Sequence, residues 1–484
     1  MSINSPIVYQ PVIGLEIHAQ LQTNSKIFAS DPVLFGQNPN TLISAITLGH
    51  PGTLPKLNIR AVEFAIKMGL ALGSEIAPWQ NFDRKNYFYP DLPKGYQITQ
   101  DKTPICVGGQ VTIQTKDGEK QIQLNRIHLE EDAGKSIHDI DPTHTLIDLN
   151  RAGTPLIEIV TEPDLYSAEE AFAYVTEIRK LVQWLGICDG NMEEGSLRCD
   201  ANVSVRLKGE KKLGTRVEVK NLNSIRNVKK AIEFETARLI EILESGGTIT
   251  QQTRSFDASN DTTFAIRDKE EANDYRYFPD PDLAPFVLSE SYIDAIKTGL
   301  PILPAAVEEK LMTQFQLSAY DAAQLCESLA TVHYFEATAQ HTINFKSLAN
   351  WMLGPIKSYL NEAGLDYNKL ALQPTTLANL IRLIDEGQLN FSVAASKILP
   401  QITDGKKTDV LAIATELNVL QVNDADTLEK WVDAAIASMP DKVIEYQKGK
   451  KGLIGLFIGA VKKMSQGQAD PNKVSELLIK KLNK

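Results

Sequence analysis

The densest chemistry in the 484-residue chain lies at residues 126–160, RIHLEEDAGKSIHDIDPTHTLIDLNRAGTPLIEIV. Glu130, Glu131 and Asp132 are consecutive there, and Glu158 interrupts the apolar run 156–160. A carboxylate inside a strand-like apolar run has to be paired, hydrogen-bonded or metal-bound, because burying a bare charge is costly. Acids placed this way suit a hard divalent cation or phosphate chemistry. A second such place is VIGLEIHAQL, residues 12–21, where Glu16 and His18 stand two apart. On a strand both side chains point to the same side, as metal ligands must. An ordinary half-buried strand with a solvated polar face has the same alternation; the carboxylate–imidazole pairing is what favours ligation.

Cations suited to phosphate accompany these acids. NFDRKNYFYPDLPKGYQ, residues 81–97, interleaves Tyr87, Phe88, Tyr89 and Tyr96 with Arg84, Lys85 and Lys94. Such a segment can stack a base and hold phosphates, or plug a core edge with its aromatics while its cations are solvated. In residues 191–207, Arg198, Asp200, Asn202 and Ser204 share one strand side over an apolar floor of Leu197, Cys199, Ala201, Val203 and Val205. Arg254, Arg267 and Arg276, with Asp274, Asp280 and Asp282, could clamp phosphate or pair among themselves, and surface ion pairs are the commoner outcome. Glu16, Glu131, Glu158 and His18 thus offer ligands for a divalent ion. Arg84, Lys85, Lys94 and Arg198 offer charge for phosphate. That is the equipment of metal-assisted phosphoryl transfer. The AGKS at 133–136 is not a P-loop, since Leu129 occupies the position where its glycine would be needed, and no GxGxxG fingerprint occurs.

The elements that must position these groups are legible from periodicity. Residues 12–21 alternate as a strand, with Ile13, Leu15, Ile17, Ala19 and Leu21 on one side. Residues 60–73 carry a helical stripe ending at Gly73. Residues 110–114 and 121–124 form a meander around a turn at 116–118. A helix over 167–185 opens on the capping pair Ser167 and Glu170, and a second helix covers 224–243. From about Ser289 strand alternation stops and helical patterns run to the end, one of them closing at Gly387. The tail 441–484 is lysine-rich, through Lys448, Lys450, Lys451, Lys462, Lys463 and Lys484 among others. A basic helical module on a chain of net charge −11 suggests contact with an RNA backbone.

Composition sets outer bounds. At 43% hydrophobic content the chain supports two to four domains. Its four cysteines include no CxxC pair, which argues against thiolate zinc or a disulfide framework and for a reducing, cytoplasmic setting. No apolar run is long enough to span a bilayer, and the N-terminus lacks the pattern of a signal peptide.

DLNRAGTPLIEIV at 148–160 resembles the signature of the B subunits of aspartyl/glutamyl-tRNA amidotransferases. GLEIHAQL, FDRKNYFYPDLPKGYQI, HLEEDAGKS, MEEGSLRCDAN, VEVKNLNS, DYRYFPDPD and KGLIGLFIGAVKKMSQGQADP follow the same family in order over essentially the whole chain. The resemblance implies an α+β protein. Its cradle domain would span residues 1–294, with an antiparallel sheet related to glutamine synthetase and guanido kinases. A helical domain (295–405) and a basic, tRNA-binding helical tail domain (406–484) would follow.

The resemblance further implies a glutamine-dependent carbon–nitrogen ligase working as a heterotrimer. An amidase A subunit releases ammonia and a small C subunit completes the complex. ATP, with Mg2+, phosphorylates the side-chain carboxylate of Glu-tRNA(Gln) or Asp-tRNA(Asn), and channelled ammonia displaces the phosphate. By resemblance Glu16, His18, Glu131 and Glu158 are the metal ligands, and Lys85, Arg198, Asp200 and Asn202 face the nucleotide. Lys85, Glu131 and Asp200 carry the chemistry, and Lys94 stands near the channel mouth. Alternation sends Glu130 and Glu131 to opposite sides, so a bulge would exchange their roles. Two other readings are a non-enzymatic tRNA-binding scaffold and the archaeal Glu-tRNA(Gln)-specific E subunit. The second carries an inserted domain for which residues 279–303 leave no room.

Overall fold

The computed structural model describes residues 8–268, 274–422, 424–465 and 467–483. Of the residues singled out above, Lys484 and the side chain of Arg267 lie outside those described. The chain forms two compact units, residues 1–304 and 305–484.

The first unit is built on one ten-stranded sheet. The strands that matter for the site are β1 (Tyr9–Gln20), β4 (Gly118–Glu131), β5 (Pro155–Thr161), β6 (Leu197–Leu207), β7 (Val217–Leu222), β8 (Gln252–Asp257) and β9 (Thr262–Asp268). They run β9-β8-β7-β6-β1-β5-β4, and β1 lies between β6 and β5. A smaller sheet contains β2 (Asp83–Asn86) and β3 (Tyr96–Thr99). The alternation expected of β1 is present: Ile13, Leu15, Ile17 and Ala19 are fully buried, while Glu16, His18 and Gln20 are only part-buried on the other side. Burying each of the larger side chains, Ile13, Leu15 and Ile17, contributes roughly 1.5–3 kcal/mol.

Three helices contribute to the same apolar core as the sheet: α1 (Ile59–Ala71), α2 (Ala168–Trp184) and α3 (Ile225–Glu244). The Ser167 side chain accepts from Glu170 N at 3.1 Å and starts α2 where the capping pattern placed it. Ser224 caps α3 in the same way, accepting from Asn227 N at 3.1 Å. The sheet is not wholly antiparallel, because β7 and β8 pair in parallel. α3 is the crossover between them, which a parallel pair requires.

Arg254 does not serve a phosphate clamp. It binds the fully buried Glu235 of α3 at 3.0 Å, and Arg238 joins the same carboxylate at 2.7 Å. Arg84 is likewise committed. Asp280 and Asp282 each hold it at 2.8 Å, and its guanidinium lies 4.1 Å over the Tyr96 ring. A buried acid is costly unless it is paired, so Glu235 and Asp280 hold Arg254 and Arg84 in ion pairs and remove both from the phosphate-binding set.

The second unit is helical. Its last helices, including Ala425–Ala437, Ile454–Met464 and Pro471–Leu482, share a core of their own around Leu428, Phe457, Val461 and Leu478. Lys448, Lys462, Lys463 and Lys480 are exposed around it. Among the described residues no helix is long and apolar enough to cross a membrane.

Candidate active site

Strand register assembles the site. His18 on β1 stands opposite Arg198 on β6 and opposite Glu158 on β5, and Glu158 stands opposite His128 on β4. Four strands therefore carry Arg198, His18, Glu158 and His128 side by side in one row on the sheet face away from the core. Glu16 pairs in register with Asp200 one step along. This polar face lines a cleft of about 860 Å³ that Lys85, Glu130 and Lys220 also border.

Two groups of ligand atoms converge in that cleft. His18, Glu130 and Glu158 each present one within 4.8 Å of the others, and Glu16, Asp200 and Glu218 do the same. His18 Nε2 is 3.6 Å from Glu130 and 3.5 Å from Glu158. His128 Nε2 lies 3.2 Å from Glu158, and its Nδ1 is buried without a hydrogen-bond partner. Burial opposes ionisation of Glu158, yet the imidazoles of His128 and His18 hold its carboxyl well below the usual range. Burial, then Glu158 and Asp200, push the Glu16 carboxyl up. Carboxylates crowded until one resists ionising, with an imidazole beside them, form a donor set that a hard divalent cation would relieve. The residues present fit such an ion.

The cationic rim is built from pairs. Lys220 Nζ bridges Asp200 at 2.7 Å and Glu218 at 2.9 Å, and Asn202 donates to Glu16 at 2.9 Å. Arg198 donates to Asp132 at 3.0 Å, and Gln20 donates to the same oxygen at 2.9 Å. Burial opposes the Lys85 charge, but Glu130, Tyr277, Glu158 and Tyr275 together outweigh it and raise the ammonium above its ordinary range. Lys85 also lies 5.0 Å over the Tyr275 ring. It is thus held as a fixed positive charge facing the acids.

Glu131 does not join His18 and Glu158. β4 runs without a bulge through 126–131 against β5, so alternation sends Glu130 into the cleft and Glu131 out of the other side. There the Glu131 carboxylate takes Lys94 Nζ and the Ile98 N–H, the latter at 2.9 Å. Of the expected ligands, Glu16, His18 and Glu158 share the cleft, but Glu16 groups with Asp200 and Glu218 rather than with His18. Lys85, Arg198, Asp200 and Asn202 all border the same space or contact its acids. Glu130 takes the place expected of Glu131, Asp132 of the same acidic run pairs with Arg198, and His128 and Lys220 are participants to which sequence reasoning gave no role. His128-Leu129-Glu130 repeats in reverse the two-apart signal of Glu16-Ile17-His18, and that signal could have found it.

An α+β chain whose sheet displays such a row, beside fixed cations, has an open polar cleft with two donor sets that could hold a metal ion. Family comparison narrows this. A family described as the GatB/GatE catalytic domain matches residues 11–294, and one described as the GatB domain matches residues 333–482. The aspartyl/glutamyl-tRNA(Asn/Gln) amidotransferase B subunit of Burkholderia ambifaria is 48% identical over 98% of this chain and 99% of its own. The B subunits of Nitrosococcus oceani and Geotalea daltonii are each 48% identical, over 98% of this chain and 100% and 99% of their own. The chain belongs to the GatB family of tRNA-dependent amidotransferase subunits.

Proposed function

We infer that the chain is the B subunit of a glutamine-dependent tRNA amidotransferase, a carbon–nitrogen ligase acting as part of a complex. Within it this unit activates the side-chain carboxylate of Glu-tRNA(Gln) or Asp-tRNA(Asn) at the expense of ATP. The observation that carries the reading is the convergence of His18, Glu130 and Glu158 beside Lys85 in one open cleft. Full-length similarity to bacterial B subunits removes the scaffold and archaeal readings.

The chemistry follows from electrophilicity. A carboxylate is a poor acceptor for ammonia, whereas an acyl phosphate carries a good leaving group. A carboxylate oxygen of the aminoacyl group attacks the terminal phosphorus of ATP and ADP leaves. Ammonia then adds to the acyl carbon and phosphate departs. Mg2+ held by His18, Glu130, Glu158 and the Glu16 group would offset phosphate charge in the first step. Lys85 and Arg198 supply fixed positive charge at the cleft wall. The cradle is proposed to be of the glutamine synthetase and guanido kinase type, and the partners to be the amidase A and small C subunits.

On the far side of β4 lies a second space, a cavity of about 210 Å³ lined by Lys26, Thr47, Arg84, Lys94, Tyr96 and Glu131. It backs directly onto the cleft, because Arg84 and Lys85 on β2 and Glu131 and Glu130 on β4 divide between the two. Lys94 closes it against Glu131. This cavity is where the ammonia route would reach the cleft.

The test uses the chain with its A and C partners, radiolabelled ATP, Mg2+ and Glu-tRNA(Gln), without glutamine or ammonia. ADP formation that depends on the charged tRNA is expected. Tight tRNA binding without ADP would remove the phosphorylation step.

A further inference from the structure

The open cleft is polar over most of its length, but its outer end is not. β9 is the last strand of the ten-stranded sheet, and among the described residues no strand pairs with its far side. Sheet edges are normally blunted with charge, because a bare apolar edge invites pairing. β9 instead leaves Phe264 53% exposed and Ile266 55% exposed. A single exposed apolar side chain needs no explanation, but two together at the lip of a site do.

Register turns both toward the cleft. Ser255 of β8 stands opposite Phe264. Its hydroxyl accepts from Asn221 Nδ2 at 2.7 Å, and Asn221 lines the cleft, so Phe264 is on the cleft side of the sheet. The neighbouring Arg254 goes to the other side, to Glu235 of α3. At Ile266 the ladder slips: Thr253 pairs with Arg267 and Arg254 with Ala265, which leaves Ile266 with no opposite residue. Such a bulge re-aims a side chain, and Ile266 lines the cleft together with Thr253, whose hydroxyl donates to Glu218 at 3.0 Å.

We propose that Phe264 and Ile266 form the shelf on which the adenine of ATP stacks. This rests on the reading that the phosphates of ATP are held, with a metal ion, over Glu16, Asp200 and Glu218. Those acids stand on β1, β6 and β7, and β9 lies two strands beyond β7. Neighbouring strands spaced by about 4.8 Å put β9 about 14 Å from β6, a distance an extended nucleoside triphosphate spans. An aromatic ring presents a π face to any base, and neither Phe264 nor Ile266 offers phosphate anything. The order of the sheet selects the base of ATP over a base of the tRNA. From β9 inward it places the shelf first, the Glu16 group next and the group of His18, Glu130 and Glu158 last. A triphosphate with its base on the shelf thus points its terminal phosphate toward His18 and Lys85, and the acceptor carboxylate has to approach from beyond that phosphate, at the opposite end from β9.

The experiment uses the full complex carrying Phe264→Ala, Phe264→Tyr or Ile266→Ser. Binding of ADP with Mg2+ is measured by calorimetry, and the KM values for ATP and for Glu-tRNA(Gln) are taken from tRNA-dependent ADP formation. Inorganic triphosphate, which has the phosphates and no base, is titrated as an inhibitor. Phe264→Ala should weaken ADP binding and raise the KM for ATP about tenfold, the size of one base–aromatic stack, with kcat kept within about twofold. Ile266→Ser should act in the same direction, and Phe264→Tyr, which keeps the ring, should stay within about twofold of the parent. Inhibition by inorganic triphosphate and the KM for Glu-tRNA(Gln) should move less than about twofold in all three. Unchanged ADP binding in both Phe264→Ala and Ile266→Ser would overturn the proposal. So would an equal loss of inhibition by inorganic triphosphate, because the whole cleft would then be disturbed. A rise in the KM for Glu-tRNA(Gln) alone would overturn it too, since the shelf would then hold a base of the tRNA. A parent complex that binds ADP through Phe264 and forms none from ATP would instead refute the activation reading and leave the shelf standing.

Discussion

Replacing Lys26 by methionine should make the folded chain more stable at neutral pH. The magnitude follows from its burial. Its ammonium is lowered from an ordinary 10.5 to about 8, and each unit corresponds to about 1.36 kcal/mol. The folded state therefore bears a penalty of roughly 3 kcal/mol for carrying this charge at pH 7. Methionine has a stem of similar length and no charge, so it removes the penalty while filling most of the volume. The sign with pH is fixed. A lysine whose folded value is depressed destabilises fully below that value, near 8. The penalty shrinks as pH rises toward 10.5 and is absent above it. Scanning calorimetry of the full chain should show the transition of the sheet-bearing unit raised by about 5 °C at pH 7. At pH 9.5 the gain should be less than half of that. Equal gains at both pH values, or a loss at pH 7, would refute the claim that Lys26 is a buried and poorly compensated charge.

Glu158→Gln and Glu130→Gln should each weaken Mn2+ binding at least about tenfold, read by electron paramagnetic resonance, while Glu131→Gln should change it less than about twofold. A large effect at Glu131 and none at Glu130 would reverse the division that β4 imposes. Lys220→Met leaves Asp200 and Glu218 without their shared cation, so the KM for ATP in tRNA-dependent ADP formation should rise about tenfold. An unchanged KM would place the nucleotide elsewhere. Lys462→Glu with Lys463→Glu should reduce the salt dependence of tRNA binding by roughly one logarithmic unit for each phosphate no longer neutralised, with ADP formation at saturating tRNA preserved. An unaltered salt slope would make those lysines a solvated face only.

What the sequence disclosed depended on how local the signal was. The alternation in residues 12–21 needed only ten consecutive residues, and it correctly separated Ile13, Leu15, Ile17 and Ala19 from Glu16 and His18. The cap at Ser167 was legible for the same reason. Glu130 and Glu131 were harder, since alternation says they part but not which one turns toward the cleft. That choice is made by β5, whose Glu158 pairs in register with His128 and so puts 128 and 130 on the site side. The fates of Arg84 and Arg254 were beyond local reach. Their partners, Asp280, Asp282 and Glu235, lie far along the chain in elements whose packing had to be known first. Lys26 gave no signal at all. It lines a cavity together with Thr47, Lys94, Glu131 and Gly153, brought there from distant parts of the chain, and a lone lysine in SKIFAS reads like any exposed one.

The same period-two geometry that hid the Glu130 assignment also provides a physical basis for the arrangement. Adjacent residues of one strand must face opposite sides. A carboxylate–carboxylate pair on β4 and an arginine–lysine pair on β2 can therefore face two spaces at once, Glu130 and Lys85 the open cleft and Glu131 and Arg84 the smaller cavity. The barrier between them is a single strand layer, so the Lys94–Glu131 contact and the cleft acid Glu130 are joined through one peptide unit. On the proposed reading, an activated acyl group in the cleft would have to be kept from water until ammonia arrives. On that reading Glu130 and Glu131, one peptide unit apart, would put the metal-binding acids and the Lys94 contact on opposite sides of the same strand.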